Sequence, residues 1–229
     1  MGDIELDISR SYRIYDTRKS NLCIQVIGAG STGSFIALTL AKMGIKNIKV
    51  IDYDKVENHN ISNQFYRYSD IGKFKVDALK EIIKDFTGTE IEVENIKIED
   101  DYDFDVNLNS IVILCVDSIE ARKLILEQLW DYPVKIIDTR FGSLGFSVHV
   151  ADLSNDEEKE VLKKSLDGEI VDTPCGMKTV LYSVLGLSSE VCSIVKKCDL
   201  KEPFPTILRR EMSQYRFISD INKVIAKNE

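Results

Sequence analysis

Apolar runs and helical apolar patterns alternate along this chain. Strands are predicted at 22–27, 47–51, 91–98, 111–116 and 134–137, with a further strand where Phe146, Val148 and Val150 alternate with polar residues. Helices are predicted at 31–43, 74–86, 118–130 and 177–197, and a polar helix opens at 154–158. A short amphipathic pattern from Phe217 to Ile225 predicts a helical tail. Strands that alternate with helices indicate an α/β fold.

The first two strands enclose a glycine-rich turn. The first strand runs into Gly28-Ala29-Gly30-Ser31-Thr32-Gly33, and the second ends in Asp52-Tyr53-Asp54. The first glycine of such a turn permits the tight bend, the second lets backbone N–H groups approach a phosphate, and the third lets the helix pack closely on the strand. Asp52 is placed to accept hydrogen bonds from a ribose hydroxyl. This βαβ unit predicts a nucleotide-binding, Rossmann-like three-layer sheet with helices on both faces, mostly parallel and with a mixed C-terminal part.

Three polar residues downstream bear on the nucleotide chemistry. Asn60 and Lys75 follow the second strand, and Asp117 leaves the buried run 111–116 at the same carboxyl edge of the sheet. An amide and an ammonium suit a triphosphate, and a carboxylate suits a magnesium ion held directly or through water. This set favours polyphosphate with metal over hydride transfer.

Length and charge narrow the class of protein further. The chain has 229 residues, of which 44% are hydrophobic, so we expect one domain over 1–229 with a short N-terminal segment and the helical tail. Its net charge of −8, with no basic stretch, argues against nucleic acid or an anionic membrane as partner. No apolar stretch approaches the ~20 residues needed to span a bilayer, and the first five residues lack a signal pattern. A cytoplasmic location is expected.

A structural zinc site and histidine catalysis find little support in the sequence. The five cysteines, Cys23, Cys115, Cys175, Cys192 and Cys198, include no C-x-x-C pair, so no structural zinc is expected. Cys23 and Cys115 lie in apolar runs and are interpreted as small buried thiols. Of the two histidines, His149 alternates with valines and is interpreted as a strand residue.

With these elements placed, the residues resemble the ThiF/MoeB/HesA family of adenylating enzymes, which are related to ubiquitin-activating enzymes. The similarity covers most of residues 10–195. The matching residues occur in order as Arg13, Gly28-Ala29-Gly30-Ser31-Thr32-Gly33, Asp52-Tyr53-Asp54, Asn60, Gln64, Gly72-Lys73-Phe74-Lys75 and Asp117-Ser118. The glycine motif alone is weak evidence, whereas the ordered set is specific.

The resemblance implies ATP-dependent adenylation of a carboxylate, in the family usually the C-terminal glycine of a ubiquitin-like or sulfur-carrier protein. It implies Mg²⁺ at Asp117 and an arginine, Arg13, that reaches the phosphates of a neighbouring subunit, and therefore a homodimer. The implied nucleotide-binding residues are Gly28, Gly30, Gly33, Asp52, Asp54, Asn60, Asn63, Gln64 and Lys75.

The chain departs from the family pattern at Asn63. An asparagine stands there before Gln64, where the family typically carries an arginine, so the phosphate clamp has lost one fixed charge. Arg67 replaces that charge only if the loop bends back. Weakened or redirected adenylation is a consequence to test.

Two further residues leave alternatives open. Cys175, in Thr173-Pro174-Cys175-Gly176 before the predicted helix, resembles the family's thioester-forming or persulfide-forming cysteine, and a helix N-terminus suits a nucleophilic thiol. A dispensable loop cysteine is the equal alternative. Arg140, at the end of a strand on the same edge, either touches substrate or is exposed on the surface.

Two other function classes share parts of this pattern. A nucleotide-binding scaffold that recognises a ubiquitin-like partner without catalysis would account for Asn63. An NAD-dependent oxidoreductase would share the glycine turn and Asp52, but would not require Asn60, Lys75 and Asp117.

Overall fold

A single mixed sheet organises the protein in the computed structural model, which describes residues 6–142, 145–167, 180–211 and 216–219. The strands are β1 (Cys23–Ile27), β2 (Ile48–Ile51), β3 (Glu92–Glu94), β4 (Ser110–Leu114), β5 (Lys135–Gly142), β6 (Gly145–Asp152), β7 (Ile207–Glu211) and β8 (Arg216–Ser219). The helices are α1 (Ser31–Lys42), α2 (Lys75–Thr87), α3 (Ile119–Leu129), α4 (Asp156–Leu166) and α5 (Leu181–Asp199).

The strand order is β3-β2-β1-β4-β5-β6-β7-β8. The pairs from β3 to β5 are parallel, and those from β5 to β8 are antiparallel. Both neighbours of β1 are therefore parallel to it, and the loops that leave β1, β2 and β4 meet at one edge of the sheet. Ligands of open α/β sheets bind at such an edge.

The helices cover both faces of the sheet. One core cluster joins the strands to α1, α2 and α5, as in Ile36, Leu79 and Val191. The other joins them to α3 and α4 through Leu126 and Leu162. The expectation of a Rossmann-like three-layer fold, mostly parallel with a mixed C-terminal part, is confirmed.

Several predicted boundaries differ from the structure. The run 91–98 forms only the three-residue β3, because Ile98 packs against the α3–α4 core outside the ladder while Ile96 is exposed. Strand β5 continues beyond Asp138 to Gly142, since it pairs with β6 along its whole length. The predicted helical tail is wrong for 216–219, which add β8 to the edge of β7. The rest of the predicted tail lies outside the described residues.

Candidate functional site

The surroundings of the turn between β1 and α1 explain why each of three positions in it is a glycine. Gly28 has a φ of +98°, and a Cβ there would lie 2.7 Å from the carbonyl oxygen of Cys115. A Cβ on Gly33 would lie 1.8 Å from the carbonyl oxygen of Gly28. A Cβ on Gly30 would meet nothing within 4 Å. Gly28 and Gly33 are therefore required by close packing, whereas Gly30 borders open space that a ligand can enter.

Helix α1 begins directly behind that open space. Gly30 is its N-cap and has no side chain with which to cap the first turn. The first N–H groups of a helix have no partner within the helix, and the helix dipole adds a partial positive charge there. The 12-residue α1 thus offers an anion-binding end at the glycine turn.

Asp52, at the end of β2, holds the glycine turn in place. One carboxylate oxygen accepts the Ala29 N–H at 2.6 Å, and the other accepts the Asp54 N–H at 2.7 Å. Each oxygen has further lone-pair capacity for a ligand hydroxyl. Asp52 therefore lies where the sequence places it and has a structural role there, while its contact with ribose stays a prediction.

Tyr66 completes the turn from the opposite side, and sequence reasoning missed it. Its buried hydroxyl donates to the carbonyl of Ala29 at 2.6 Å. Burial, followed by the charges of Asp52, Asp70 and Asp54, raises its pKa well above the usual value. A tyrosine in a polar loop carries no periodic signal, so its contact appears only in the folded chain.

Lys75 begins α2 and is buried, with only 6% of its surface exposed. Its ammonium lies 2.7 Å from the carboxylate of Asp54, and its backbone N–H donates to the Asp54 carbonyl at 2.9 Å. A lysine on the protein surface is hydrated by water and would not need these two contacts. Asp54 lies two residues after Asp52, which holds the glycine turn, so the ion pair of Lys75 with Asp54 connects the lysine to that turn. The Asp54 side chain itself is half exposed.

The loop after β2 brings several amides to this edge. Asn60 is buried, and its side-chain oxygen accepts the Glu57 N–H at 2.8 Å, so this amide shapes the loop. The side-chain oxygens of Asn63 and Gln64 are buried without a hydrogen-bond partner among the described residues. Buried polar atoms in this state are typical of places where a ligand or water completes the hydrogen bonding.

Arg67 does not take over the charge absent at Asn63. Its guanidinium binds Asp70 at 3.1 Å and Asp85 at 3.0 Å, and it lies 3.7 Å from Glu81 on α2. Two of these partners, Glu81 and Asp85, lie on α2, so the guanidinium is held against that helix. The hypothesis that Arg67 replaces the missing charge through a bent loop is not supported by this arrangement.

Asp117 lies where the sequence places it, in the loop between β4 and α3. It is exposed, and within the described ranges its carboxylate has no hydrogen-bond or ion-pair partner. The following Ser118 caps α3 by accepting the Ala121 N–H at 3.1 Å. Because the Cys115 carbonyl abuts Gly28, this loop adjoins the glycine turn on the side opposite β2.

A buried charged cluster near Asp117 was missed by sequence reasoning. Asp138 is fully buried and accepts hydrogen bonds from Arg122 on α3 and Arg140 on β5. Arg140 also donates to the carbonyl and hydroxyl of Ser165, at 2.8 and 2.9 Å. The alternative that Arg140 is exposed on the surface is wrong, because its side chain is mostly buried and bound within the fold. Its contact with substrate stays a prediction.

His149 lies on β6, as the alternation predicted. Burial, followed by the nearby Arg140, Arg209 and Arg122, lowers its pKa to about 3. Its Nε2 lies 3.2 Å from the Ser147 hydroxyl, and its Nδ1 has no partner among the described residues. It is therefore neutral near pH 7.

The structure describes Arg13 and the two strand cysteines but not Cys175. Arg13 is exposed, with its Nε 3.5 Å from the Tyr12 hydroxyl. Cys175 lies outside the described residues. Cys23 is only partly buried, which corrects the expectation of a buried thiol there, because it lies at the start of β1. Cys115 follows the end of β4 and packs against the core. Desolvation still raises the pKa of the Cys115 thiol to about 12.

The described residues lack two features that would change the interpretation of the site. They contain no group of three or more His, Cys, Asp or Glu side chains arranged to hold a metal ion. No helix in these ranges combines the length and apolar character needed to cross a bilayer.

Comparison with known proteins places this geometry in a family. Residues 16–195 match the ThiF family. Over 104 residues the chain is 41% identical to the NEDD8-activating enzyme E1 catalytic subunit of Arabidopsis thaliana, covering 44% of this chain and 23% of that protein. Over 112 residues it is 35% identical to ubiquitin-like modifier-activating enzyme 5 of Caenorhabditis elegans, covering 43% and 27%. The chain therefore spans about a quarter of the length of these curated relatives.

Solved structures agree with the fold. E. coli MccB, solved with succinimide, matches with a TM-score of 0.73 at 17% identity, over 93% of this chain and 69% of that one. PaaA matches with a TM-score of 0.69 at 21% identity, over 87% and 64%. MccB has also been solved with ATP, in a structure that matches with a TM-score of 0.63 at 15% identity, over 88% and 64%. At these identities the similarity shows the fold alone.

Proposed function

This chain belongs to the ThiF family, and we propose on that basis that it uses ATP to adenylate a carboxylate group. A carboxylate oxygen of the substrate attacks the α-phosphorus of ATP. The bond from that phosphorus to the bridging oxygen of the β-phosphate breaks, and pyrophosphate leaves with the electron pair. The product is an acyl adenylate. Such a displacement depends on positioning and charge neutralisation more than on an acid or base.

The buried Lys75 is the observation that carries the proposal. A lysine held at 6% exposure by Asp54 at the carboxyl edge of the sheet is a fixed positive charge beside the glycine turn. Dinucleotide binding does not require such a charge, whereas a triphosphate with its several negative charges does. On binding, the phosphates would share Lys75 with the half-exposed Asp54.

The other roles follow from the same edge. The first turn of α1 would hold phosphate oxygens across the open space at Gly30, and Asp52 would accept a ribose hydroxyl. The unpartnered side-chain oxygens of Asn63 and Gln64 would accept hydrogen bonds from the nucleotide. Asn60 would act by holding the loop that carries them.

Asp117 would hold the Mg²⁺ that accompanies ATP. The residues fit this ion because one unpaired, exposed carboxylate together with substrate phosphates is a usual magnesium environment, and no larger acidic cluster is needed. The ion would supply neutralisation of phosphate charge.

The substrate class follows from the relatives. Their names refer to NEDD8 and to a ubiquitin-like modifier, so the C-terminal glycine of a ubiquitin-like or sulfur-carrier protein is the carboxylate that we propose. The exposed Arg13 would reach the phosphates of a neighbouring subunit in a homodimer, and a cytoplasmic location belongs to the same proposal.

A second step on Cys175 extends the proposal. Its thiolate would attack the acyl carbonyl of the adenylate, AMP would leave, and a thioester would form. The Cys175→Ala variant tests this step, since pyrophosphate exchange should survive while a thiol-sensitive covalent complex with the partner should vanish. If the covalent complex also survives, Cys175 has no catalytic role.

A scaffold without catalysis is the second candidate, and one observation favours it. The position of Asn63 provides no cation, and Arg67 is held by Asp70 and Asp85 on the side of α2. The phosphate clamp is correspondingly weaker, which suits a protein that binds a nucleotide and a partner but does not turn over.

Exchange of labelled pyrophosphate into ATP separates the two candidates. Each small ubiquitin-like or sulfur-carrier protein of the source genome is added in turn, with the same protein lacking its terminal glycine as matched control. Adenylation predicts exchange that requires the terminal glycine and is abolished by Asp117→Ala. Nucleotide binding without exchange, for every partner that forms a complex, would favour the scaffold.

A further inference from the structure

Arg122 occupies an unusual position for a helical arginine. It lies on α3, and only 7% of its side chain is exposed. Its Nη1 donates to the Asp138 carboxylate, and its Nη2 donates to the backbone carbonyl of Val116. Val116 is the residue immediately before Asp117, so the guanidinium holds the backbone of the loop that carries the proposed magnesium ligand.

Arg122 shares its buried acidic partner with a second arginine, which binds the other carboxylate oxygen. Asp138 is completely buried and binds Arg122 through Oδ1. Its Oδ2 lies 2.7 Å from Nε and 2.6 Å from Nη2 of Arg140, which extends to Ser165 on α4. One buried carboxylate thus aligns two guanidinium groups. Replacing such a cluster by apolar residues often costs little stability, so a positioning role explains it better than stability does.

The loop from Cys115 to Ser118 is tied at both ends as well as in the middle. At its start the Cys115 N–H donates to the Ile27 carbonyl at 2.8 Å, and at its end Ser118 caps α3. Arg122 supplies the bond between these two points, at Val116. Asp117 itself has no side-chain partner among the described residues, so the direction of its carboxylate depends on how its backbone is held.

We propose that Arg122 is a positioning residue that aims the Asp117 carboxylate at the nucleotide site by holding the Val116 carbonyl. This inference rests on the proposed function, in which Asp117 faces Mg²⁺ and ATP. Arg122 touches neither of them. It resembles the outer contacts of metal sites, which orient the ligand and whose loss typically weakens metal affinity by about 10- to 100-fold.

An arginine is required here because the two acceptors lie on different elements. The planar guanidinium bonds the Val116 carbonyl and the Asp138 carboxylate at once through separate nitrogens. A lysine keeps the charge that Asp138 needs but offers one compact ammonium in place of the fork. Arg122→Lys therefore separates the positioning bond from the buried ion pair.

The test measures the Kd of ATP for the full chain by titration calorimetry, with excess Mg²⁺ and again with EDTA. The Kd in EDTA divided by the Kd with Mg²⁺ is the factor by which the metal strengthens ATP binding. In Arg122→Lys we expect this ratio to fall by about tenfold or more, with the EDTA value unchanged. Arg140→Lys is the matched control, because it alters the same buried carboxylate without touching Val116, and its ratio should equal that of the wild type.

A double variant links the effect to Asp117. In the Asp117→Ala background the metal contribution is already lost, so adding Arg122→Lys should not lower the ratio further. Arg122→Gln, which keeps a planar donor without charge, serves if Arg122→Lys does not fold as judged by circular dichroism, and the same loss is expected.

Some results would overturn the inference alone, and others would overturn the proposed function as well. A wild-type ratio in Arg122→Lys, or an equal loss in Arg140→Lys, shows that Arg122 does not act through the Val116 carbonyl while leaving the proposed function intact. A further loss in the Asp117→Ala background shows that it acts elsewhere. A wild-type chain that does not bind ATP, or binds it without regard to Mg²⁺, overturns the proposed function and this inference with it.

Discussion

At the scale of single residues, Gly33 and Gly30 allow a direct test of the turn, because a Cβ would clash at the first and meet open space at the second. In Gly33→Ala the new methyl would lie 1.8 Å from the Gly28 carbonyl oxygen, so we expect a loss of about 3 kcal/mol in the free energy of unfolding. In Gly30→Ala the methyl meets no atom within 4 Å, so stability should change by less than about 1 kcal/mol.

The two glycine variants also distinguish an effect on stability from an effect on ATP affinity. The Gly30→Ala methyl would occupy the space that we propose for the phosphates of ATP, so the Kd of ATP should rise by about tenfold, or about 1.4 kcal/mol. Denaturant unfolding and ATP titration of both variants check the prediction. Unchanged ATP affinity in Gly30→Ala would place the phosphates elsewhere.

Lys75 allows a test of charge with little change in volume. Lys75→Met keeps an unbranched side chain in the buried position and removes the ammonium, while the half-exposed Asp54 stays hydrated. We expect the Kd of ATP to rise at least about tenfold, because charge-assisted hydrogen bonds contribute about 1.5–3 kcal/mol. Lys73→Met is the control, since Lys73 is exposed and binds Asp70 and Glu81. Equal effects of the two variants would contradict a specific role for Lys75.

His149 predicts a pH dependence of stability. Its pKa is lowered to about 3 in the folded chain, whereas the unfolded imidazole keeps its usual value of about 6.5. Between these values the unfolded state binds the extra proton, so this contribution is full above about pH 6.5 and is lost as the pH falls toward 3.

The measurement is denaturant unfolding between pH 7 and 5, which lies above the range in which carboxylates such as Asp70 titrate. The free energy of unfolding should fall as the pH falls, by up to about 1.4 kcal/mol per pH unit. His149→Gln should flatten the curve. An equal slope in that variant would assign the effect to other groups.

At the scale of elements, local patterns predicted most helices and strands because their apolar faces are continuous. Helix α3 begins after Ser118 and α4 after Asn155, as capping residues indicate. The errors occur where pairing with a neighbouring strand determines whether a segment forms a strand and how long that strand is. Strand β5 is long because β6 accompanies it, and 216–219 form a strand because β7 offers an edge. Such long-range pairing leaves no periodic signal in either segment alone.

The cap of α4 gives a prediction confined to one element. The Asn155 side chain accepts the N–H groups of Glu157 and Glu158 at 3.0 and 3.3 Å. Asn155→Ala should lower the free energy of unfolding by about 1 kcal/mol and leave ATP affinity unchanged. Glu160→Ala, at an exposed position of the same helix, is the control and should change stability by less than about 0.5 kcal/mol. Equal losses in the two variants would contradict the capping role.

At the scale of the whole molecule, sequence reasoning reached the family and the fold but not the full site. The glycine turn, Asp52 and Asp117 could be placed at the sheet edge because each follows a strand that ends there, whereas Lys75 was singled out only through the resemblance to the family. Tyr66 was not, since its contact with the turn crosses 37 residues.

The buried charges illustrate the same limit. Arg122 lies 16 residues from Asp138 in sequence and carries no sign of burial, because arginines on helices are usually exposed. The position of the Arg67 guanidinium also depends on contacts with Asp70 and Asp85 that form only in the folded chain. Pairings between charged side chains are set by the assembled elements and not by the pattern within any one of them.

The central claim, that this edge binds a nucleoside triphosphate with magnesium and not a dinucleotide, is tested most directly by thermal unfolding with ligand. A ligand that binds only the folded state raises the melting temperature, and more so at higher affinity. At equal concentrations, ATP with Mg²⁺ should raise the melting temperature of the wild-type chain more than NAD does, and Lys75→Met should remove most of the difference. A shift with NAD equal to or larger than that with ATP and Mg²⁺ would contradict the account.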